Sequence, residues 1–347
     1  AEFRFVNLCF LPCLTDADLP SAIAGRDDCI LGGVRIGDRG GVPPPGWPLQ
    51  FIPAPLIGGT PESVQEIWRC AAPCSSGEFA GITWRRAGTL LYGVLELAES
   101  DFPGSPDCPP LQAASQEAYR RIFRLLEVQQ LPHLWRVWNY LADINRESDG
   151  LERYRQFNIG RQDAFLEFSR GATGNVPAAC AIGLAGGPLR IAFMAGSEAA
   201  SAVENPRQIS AYNYPAEYGP RSPTFSRAAL VPLARQEILF ISGTASILGH
   251  RTMHGGDVRA QTQESLSNVA AVVAEANRLT RSAPYRLDEL AYRVYLRHAS
   301  DHFAVRDVLR SVLGTTPQIV LIEADICRSD LLVEIEAAAL HNLESTR

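Results

Sequence analysis

QEILFIS at positions 236–242 predicts a strand, and the segments that follow it decide the fold. A helix comes next, and from position 262 it has one apolar face, formed by Leu266, Val269, Val272, Val273 and Ala276. The remaining segments predict a strand in LAYRVYLR (290–297), a helix ended by Gly314 in HFAVRDVLRSVLG (302–314), and two strands in QIVLIEAD (318–325) and LLVEIEAA (331–338). This order predicts an α+β sheet with both helices on one face.

The region upstream predicts a second, α/β domain. Positions 1–110 are rich in Gly and Pro, and apolar runs such as ITWRRAGTLLYGVLEL (82–97) predict strands joined by loops. LQAASQEAYRRIFRLLEVQQL (111–131) has the apolar spacing of a helix, and HLWRVWNYLADI (133–144) predicts another strand. A length of 347 residues favours two domains, which we place at 1–145 and 146–347.

The composition favours a small anionic partner over nucleic acid. The net charge is -6, whereas a nucleic-acid or anionic-membrane surface requires clustered positive charge. All 32 cationic side chains are arginine, which excludes a Schiff-base lysine, a pyridoxal phosphate anchor and a phosphate-loop lysine. Arginine binds carboxylates through two parallel hydrogen bonds. The sequence therefore predicts a small-molecule substrate, with no cofactor, no nucleic acid and no membrane.

The eight cysteines predict neither disulfides nor a metal site. They are scattered through a chain too long to need disulfide bonds for stability, which favours reduced thiols and a cytoplasmic protein. Two pairs have C-x3-C spacing but no histidine-rich second pair. His250 and His254 lie in the Gly-rich stretch GHRTMHGGD (249–257), which favours a loop over a metal-binding helix. The apolar N-terminal stretch AEFRFVNLCFLPCL (1–14) is too short to span a membrane and lacks the features of a signal peptide.

Two C-terminal segments resemble the RidA/YjgF (chorismate mutase-like) fold. They are QTQESLSNVAAVVAEAN (261–277) and RSDLLVEIEAAAL (328–340), and members of that family end in a similar V/I-E-I-E-A strand. The resemblance implies a RidA/YjgF-like C-terminal domain, preceded by a related or degenerate α/β N-terminal domain. Members that hydrolyse imines use an arginine on the strand before the last, whereas the matching positions here are near Gln318 and Ile319, which disfavours an imine hydrolase.

Two further segments resemble the chorismatases, which carry a RidA-like C-terminal domain. They are RYRQFNIGRQDAF (153–165) and SAYNYPAEYGPRSPTFSRA (210–228). The resemblance implies cleavage of chorismate, whose two carboxylates require two separate cationic groups. The family pattern pairs a tyrosine with an arginine twice. The residues that match it are Tyr154 with Arg161 and Tyr214 with Arg227, and Arg221 is a possible third contact.

The resemblance also implies that Glu334 donates the proton that starts the cleavage of chorismate. Cleaving the enolpyruvyl ether requires a proton on its methylene carbon, and a partly buried carboxylic acid with a raised pKa supplies it well. Alternation on the strand puts Glu334 and Glu336 on the same face, so the two compete for this role, and the family position favours Glu334. The alternative is that Glu334 is an ordinary outward-facing strand residue.

Cys327 is the second catalytic candidate. The branch of the family that makes 3-hydroxybenzoate resembles this chain in having Cys there, so the resemblance favours pyruvate and 3-hydroxybenzoate as products. Another branch-marking position lies around Phe240 to Gly243, which makes Gly243 a possible site residue. The alternatives are a packed hydrophobic role for Cys327, hydrolysis to 3,4-dihydroxycyclohexa-1,5-diene-1-carboxylate, and a non-catalytic protein that binds a small carboxylate. A monomer is favoured, and a trimer remains possible.

Overall fold

A four-stranded sheet forms the N-terminal part of the molecule. The computed structural model describes residues 7–37, 46–58, 61–105 and 107–343, so positions 1–6 of the N-terminal apolar stretch lie outside the described residues. The elements are β1 (Leu8–Thr15), α1 (Leu19–Ile23), β2 (Ile30–Gly37), β3 (Leu49–Ile52) and β4 (Ser63–Cys70). The strand order is β1-β4-β2-β3, in which only the pair β2 and β3 is parallel.

A first α+β unit follows at residues 75–196. Its elements are β5 (Ser75–Phe79), β6 (Ile82–Ala87), β7 (Leu90–Leu97), α2 (Pro110–Gln129), β8 (His133–Ala142), β9 (Glu147–Ser148), β10 (Leu151–Glu152), α3 (Arg153–Glu167), β11 (Ala178–Leu184) and β12 (Leu189–Gly196). The main sheet has the order β5-β6-β7-β12-β8-β11. The predicted helix at 111–131 and the predicted strand at 133–144 are therefore confirmed as α2 and β8.

A second unit occupies residues 201–342. Its elements are β13 (Ser201–Val203), β14 (Ala228–Pro232), β15 (Gln236–Ala245), β16 (Ile247–Leu248), β17 (Arg251–Thr252), α4 (Val258–Ala276), β18 (Ala291–Leu296), α5 (His302–Leu313), β19 (Ile319–Glu323), β20 (Asp325–Ile326) and β21 (Val333–Asn342). Its sheet has the order β13-β14-β15-β21-β18-β19, while β20 joins the first unit by pairing with β11. The predicted strand and helix order is confirmed.

The two units share one topology. Each begins with three consecutive antiparallel strands, and the third of these pairs with the last strand, as β7 does with β12 and β15 with β21. The last strand also pairs antiparallel with β8 or β18, which in turn pairs parallel with β11 or β19. The predicted domain boundary at 145/146 falls inside the first unit, between β8 and α3. We propose a division between 196 and 201 instead, because it separates the two main sheets.

The helices of each unit cover one face of its sheet. In the second unit, Leu266 of α4 and Val305 of α5 pack with Val294 of β18 in one apolar core, and α2 and α3 cover the first sheet in the same way. The uncovered faces of both sheets meet the four-stranded sheet in a third core. Burying each such aliphatic side chain stabilises the fold by about 1.5–3 kcal/mol. The predicted α+β class is confirmed. Within the described ranges, no helix has the length and apolar character needed to cross a membrane.

Local details differ from the prediction in ways that affect the site. α4 begins at Val258 rather than at 262, because the Asp257 side chain accepts a hydrogen bond from Ala260 N (3.0 Å) and caps the helix. β15 continues past Gly243 to Ala245, with a register shift against β21 between Ile241 and Thr244. Such an irregularity re-aims the side chains next to it.

A buried ion network connects all three sheets. Arg293 on β18 donates to both carboxylate oxygens of Glu66 on β4, at 2.9 and 2.6 Å, and to Glu336 on β21 at 3.1 Å. Arg136 on β8 donates to the other oxygen of Glu336, and the Tyr295 hydroxyl donates to Glu336 Oε1 at 2.9 Å. All these charged groups are more than nine-tenths buried, so each relies on its partners in place of water.

Candidate active site

A cavity of about 260 Å³ opens between the two units. Its wall takes side chains from the start of α3, from the 210–227 segment, from the end of β15 and from the chain between β20 and β21. The predicted site residues that line it are Tyr154, Tyr214, Arg227, Gly243, Cys327 and Glu334. Residues that lie far apart in the sequence thus meet in one cavity.

Glu334 is a buried carboxyl group on the cavity wall. It lies on β21, opposite Ala245 of β15 and Tyr295 of β18, and its residue is 4% exposed. Burial raises the pKa of Glu334 to about 8, the neighbouring Glu336 carboxylate adds to the rise, and Arg136 and Arg227 oppose it. The group is therefore mostly protonated at neutral pH and available as a proton donor.

Glu336, the competing carboxylate, forms ion pairs and a hydrogen bond within the protein core. Its oxygens accept from Arg136, Arg293 and Tyr295, and the residue lines a separate, much smaller cavity. Glu334 has the Cys327 thiol as a neighbour and faces the larger cavity. Strand alternation places the two carboxylates on one face, but their contacts differ, and only Glu334 faces the larger cavity.

Gly243 makes room for the Glu334 side chain. It lies at the register shift of β15, and a Cβ atom built on it would overlap Glu334 Oε1. Its backbone does not adopt the left-handed conformation, so the need for glycine here comes from close approach alone. Any larger residue would displace the Glu334 carboxyl group.

Cys327 contacts Glu334 across the cavity wall. Its Sγ atom lies 4.0 Å from Glu334 Oε2. Burial, and to a lesser degree the Glu334 carboxylate, raise the pKa of the Cys327 thiol to about 12. The residue is therefore a neutral thiol near pH 7, able to donate a weak hydrogen bond or a proton rather than to attack as a thiolate. It also packs against apolar residues of the core.

Tyr214 and Arg227 form the predicted pair. Arg227 Nη2 donates to the Tyr214 hydroxyl at 2.7 Å and to the Ile209 carbonyl at 2.8 Å, and its guanidinium lies 5.5 Å from the centre of the Tyr214 ring. Arg227 Nε is buried and, among the described residues, has no hydrogen-bond partner. The pair is thus held in place, and the Arg227 Nε–H group can still donate a hydrogen bond.

Tyr154 and Arg161 both lie on α3, but the structure brings only Tyr154 to the cavity wall. Arg161 is 1% exposed, donates from Nη2 to Asn158 Oδ1 at 2.8 Å, and lies over the Phe157 ring. Its charge nevertheless reaches Tyr154: burial raises the pKa of the Tyr154 hydroxyl, and Arg161 opposes the rise. Arg161 thus lies behind the wall rather than on it.

Arg221 lies outside the cavity wall. Its Nη2 atom is 3.5 Å from Asp163 Oδ1, and 46% of its side chain is exposed. This arrangement is that of a surface ion pair, and such pairs contribute little to stability. A contact from Arg221 to a molecule in the cavity stays a prediction.

Arg328 and Tyr218 line the cavity, although sequence reasoning did not single them out. Tyr218 belongs to the segment 210–228 that carries the resemblance, and Arg328 directly follows Cys327. Both positions thus lie inside segments that carry a family resemblance, because Arg328 is also the first residue of the segment 328–340. Neither lies in a periodic segment, and no spacing rule points to them.

His250 lies in the turn of the β16–β17 hairpin and His254 lies after β17, so neither histidine is in a helix. His250 Nε2 lies 3.9 Å from Glu217 Oε1, and His254 Nε2 lies 4.0 Å from Glu264 Oε2. Within the part of the chain that the structure describes, no group of three or more His, Cys, Asp or Glu side chains is arranged to hold a metal ion. The predicted loop around these histidines is confirmed.

The chain is similar to known proteins over most of its length. Residues 66–195 match the family described as "Chorismatase FkbO/Hyg5-like, N-terminal". A 3-hydroxybenzoate synthase from Streptomyces hygroscopicus is 36% identical over 298 residues, which cover 82% of this chain and 84% of that protein. A chorismatase from the same species is 38% identical over 281 residues, 79% of each chain.

A solved structure agrees with the sequence relatives. The crystal structure of a chorismatase at 1.08 Å resolution aligns with 97% of this chain and 100% of its own, with 32% identity and a TM-score of 0.85. Sequence identity and backbone geometry agree across both units. The chain belongs to the chorismatase family.

Proposed function

We propose that this protein cleaves the enolpyruvyl ether of chorismate to pyruvate and 3-hydroxybenzoate. The observation that carries the proposal is Glu334, a carboxyl group whose pKa is raised to about 8, facing a cavity whose wall also contains Arg227. A neutral acid beside a guanidinium suits a reaction that protonates one end of an anionic substrate. The relative named 3-hydroxybenzoate synthase supports this product over the hydrolytic alternative.

The reaction starts with a proton from Glu334. The enol methylene carbon takes it and becomes a methyl group, so the ether carbon turns electrophilic. The bond from the ether oxygen to the ring then breaks, and its electron pair stays with the pyruvate oxygen. The ring hydroxyl oxygen bonds to the vacated ring carbon and gives an epoxide, while its O–H proton passes to the Glu334 carboxylate and restores the acid. The epoxide then opens as its oxygen takes the Cys327 proton, and the ring proton that is lost restores the thiol, which yields 3-hydroxybenzoate. The two products together have the atoms of chorismate, and no water is consumed.

Cys327 and the tyrosine-arginine pairs have supporting roles in this proposal. The Cys327 thiol, neutral because its pKa is about 12, donates to the epoxide oxygen as the ring opens. Arg227 with Tyr214 binds a carboxylate of the substrate. Tyr154 contacts the substrate from the opposite unit, with the Arg161 charge behind it. Because one chain supplies both walls of the cavity, we infer an active monomer. The cytoplasmic location stays a prediction.

The proposal is tested by product analysis. Purified protein is incubated with chorismate, and the products are separated by chromatography against standards of 3-hydroxybenzoate, 4-hydroxybenzoate and the non-aromatic diol. Equal amounts of pyruvate and 3-hydroxybenzoate are expected. The diol as main product would replace the proposed branch by the hydrolytic one, and the absence of pyruvate would refute chorismate cleavage.

The activity should depend on pH through Glu334. Because the donor must be protonated, kcat/KM for pyruvate release is expected to stay flat below a pH of about 8 and to fall about tenfold per unit above it. Cys327, with a pKa of about 12, does not titrate in this range. Initial rates measured from pH 5.5 to 10 at constant ionic strength provide the test. A rate that rises with pH toward 8 would contradict an acid role for Glu334.

The Gly243→Ala variant should lose activity without losing its fold. The new methyl group overlaps Glu334 Oε1, so the carboxyl group must rotate away from the substrate. A displacement of about 1 Å at a reacting group costs about 100-fold in rate, and a loss of that order is expected in kcat for pyruvate release. The matched control is Gly186→Ala, in the turn between β11 and β12, where an added Cβ meets open space. Equal activity of the two variants would refute the close approach.

A further inference from the structure

Arg328 is an arginine of the cavity wall with an unused donor. Its Nη1 atom donates to the His250 carbonyl at 2.8 Å and to Thr252 Oγ1 at 3.3 Å, which anchors the guanidinium to the β16–β17 hairpin. Its Nη2 atom is buried and has no hydrogen-bond partner among the described residues. A buried donor left without a partner costs about 1–3 kcal/mol, so this arrangement favours an acceptor supplied by a bound molecule.

Arg328 lies close to Arg227 on the cavity wall, among tyrosine rings. The guanidinium lies 4.0 Å from the centre of the Tyr218 ring and 5.2 Å from that of Tyr214. Arg227 lies 5.5 Å from the centre of the same Tyr214 ring. The two guanidinium groups are thus neighbours on one wall, with Tyr214 in contact with both. A molecule with two separated carboxylates can pair with each of them.

The position of the carbon atom that Glu334 protonates decides which carboxylate each arginine binds. The methylene carbon that Glu334 protonates and the pyruvyl carboxylate belong to one three-carbon group, so that carboxylate must lie near Glu334. Arg227 lies beside the point where β15 meets Glu334, because Ser242 N, next to Gly243, donates to the Arg227 carbonyl at 3.0 Å. The Arg328 side chain instead extends to the hairpin formed by residues 247–252. The pyruvyl carboxylate is therefore assigned to Arg227, and the ring carboxylate is assigned to Arg328.

We propose that Arg328 binds the ring carboxylate of the substrate and therefore also the carboxylate of the benzoate product. This inference rests on the proposed function and assigns one end of the substrate within the same cavity. It gives Arg328 a part in specificity, because a ring without a carboxylate would leave Nη2 unpaired. The simpler alternative is that Arg328 only holds the hairpin and the two tyrosine rings in place.

The test compares two ligands that differ only in the carboxylate. Calorimetry measures binding of 3-hydroxybenzoate and of neutral 3-hydroxybenzyl alcohol to the wild type and to Arg328→Gln, Arg328→Lys and Arg155→Gln. Arg155 is the control, because it also lines the cavity but has Glu152 as its partner at 3.2 Å. We expect Arg328→Gln to weaken binding of the acid by about 10- to 100-fold, Arg328→Lys to weaken it less, and Arg155→Gln to leave it within about twofold.

The alcohol separates recognition from structural damage. We expect its affinity to be low and unchanged by Arg328→Gln, because it has no carboxylate to lose. Unchanged binding of the acid in Arg328→Gln, an equal loss for acid and alcohol, or an equal loss in Arg155→Gln would each overturn the inference. If the wild type binds the acid through Arg328 but releases no pyruvate from chorismate, the proposed function fails while this contact stands.

Discussion

Replacement of Glu334 by Gln is expected to lower pyruvate release from chorismate by about 100- to 10,000-fold, the usual contribution of a positioned proton donor. Gln has nearly the same shape and keeps the packing on β21, but it has no acidic proton. Coupling pyruvate to its reduction by NADH provides the rate. The matched control is Glu217→Gln, at a lining residue whose side chain is 64% exposed, which should leave the rate nearly unchanged. Undiminished release by Glu334→Gln would refute the assignment.

The same variant carries a stability signature that loss of folding would not produce. Because the pKa of Glu334 is raised from 4.5 to about 8 in the folded state, the folded protein binds more protons than the unfolded chain between these values. This group therefore lowers the free energy of unfolding as pH rises through that window. Glu334→Gln should remove this slope, so that its stability relative to the wild type increases from pH 5 to 8. Urea titrations at several pH values measure the difference.

Loss of Arg293 should destabilise the protein by about 3–5 kcal/mol, the usual cost of breaking a buried ion pair on one side. Arg293→Met keeps much of the side-chain volume but leaves Glu66 without the guanidinium that bonds both its oxygens, and Glu336 with only Arg136 as a cationic partner. The free energy of unfolding in urea is the measurement.

The control for this prediction is Arg146→Met. Arg146 pairs with Asp143 at 3.0 Å, but 62% of its side chain is exposed, so no measurable change is expected. Equal stability of the two variants would mean that the network contributes nothing beyond a surface pair. A large loss in Arg293→Met alone would support the view that the network connects the three sheets.

The fold of the C-terminal unit was readable from the sequence, because apolar periodicity there is strong and Gly314 marks the end of α5. The predicted chorismatase membership is also confirmed. Period-two alternation placed Glu334 and Glu336 on one face, but it did not indicate which of the two forms ion pairs. Arg136, which binds Glu336, is 200 residues away in the chain, and only the packed sheets bring the two together.

The substrate-binding arginines were harder to predict for a related reason. In α3, buried and polar residues alternate irregularly, so the sequence did not indicate that Arg161 lies behind the cavity wall while Tyr154 lies on it. Arg328 lies in the turn region between β20 and β21, where no periodicity exists to mark a face. The direction of a long side chain in such a segment depends on its partners, here the hairpin formed by residues 247–252.

The shared topology of the two units has a consequence for symmetry. When identical subunits meet at a twofold interface, every residue occurs on both sides, and any pocket on the axis has two equal halves. Here Tyr154 comes from the first unit and Glu334 from the second, so a substitution on one side leaves the other unchanged. Each half can therefore change independently. A single chain built in this way can form an asymmetric pocket for a molecule whose two ends differ. Two identical subunits related by a twofold axis cannot.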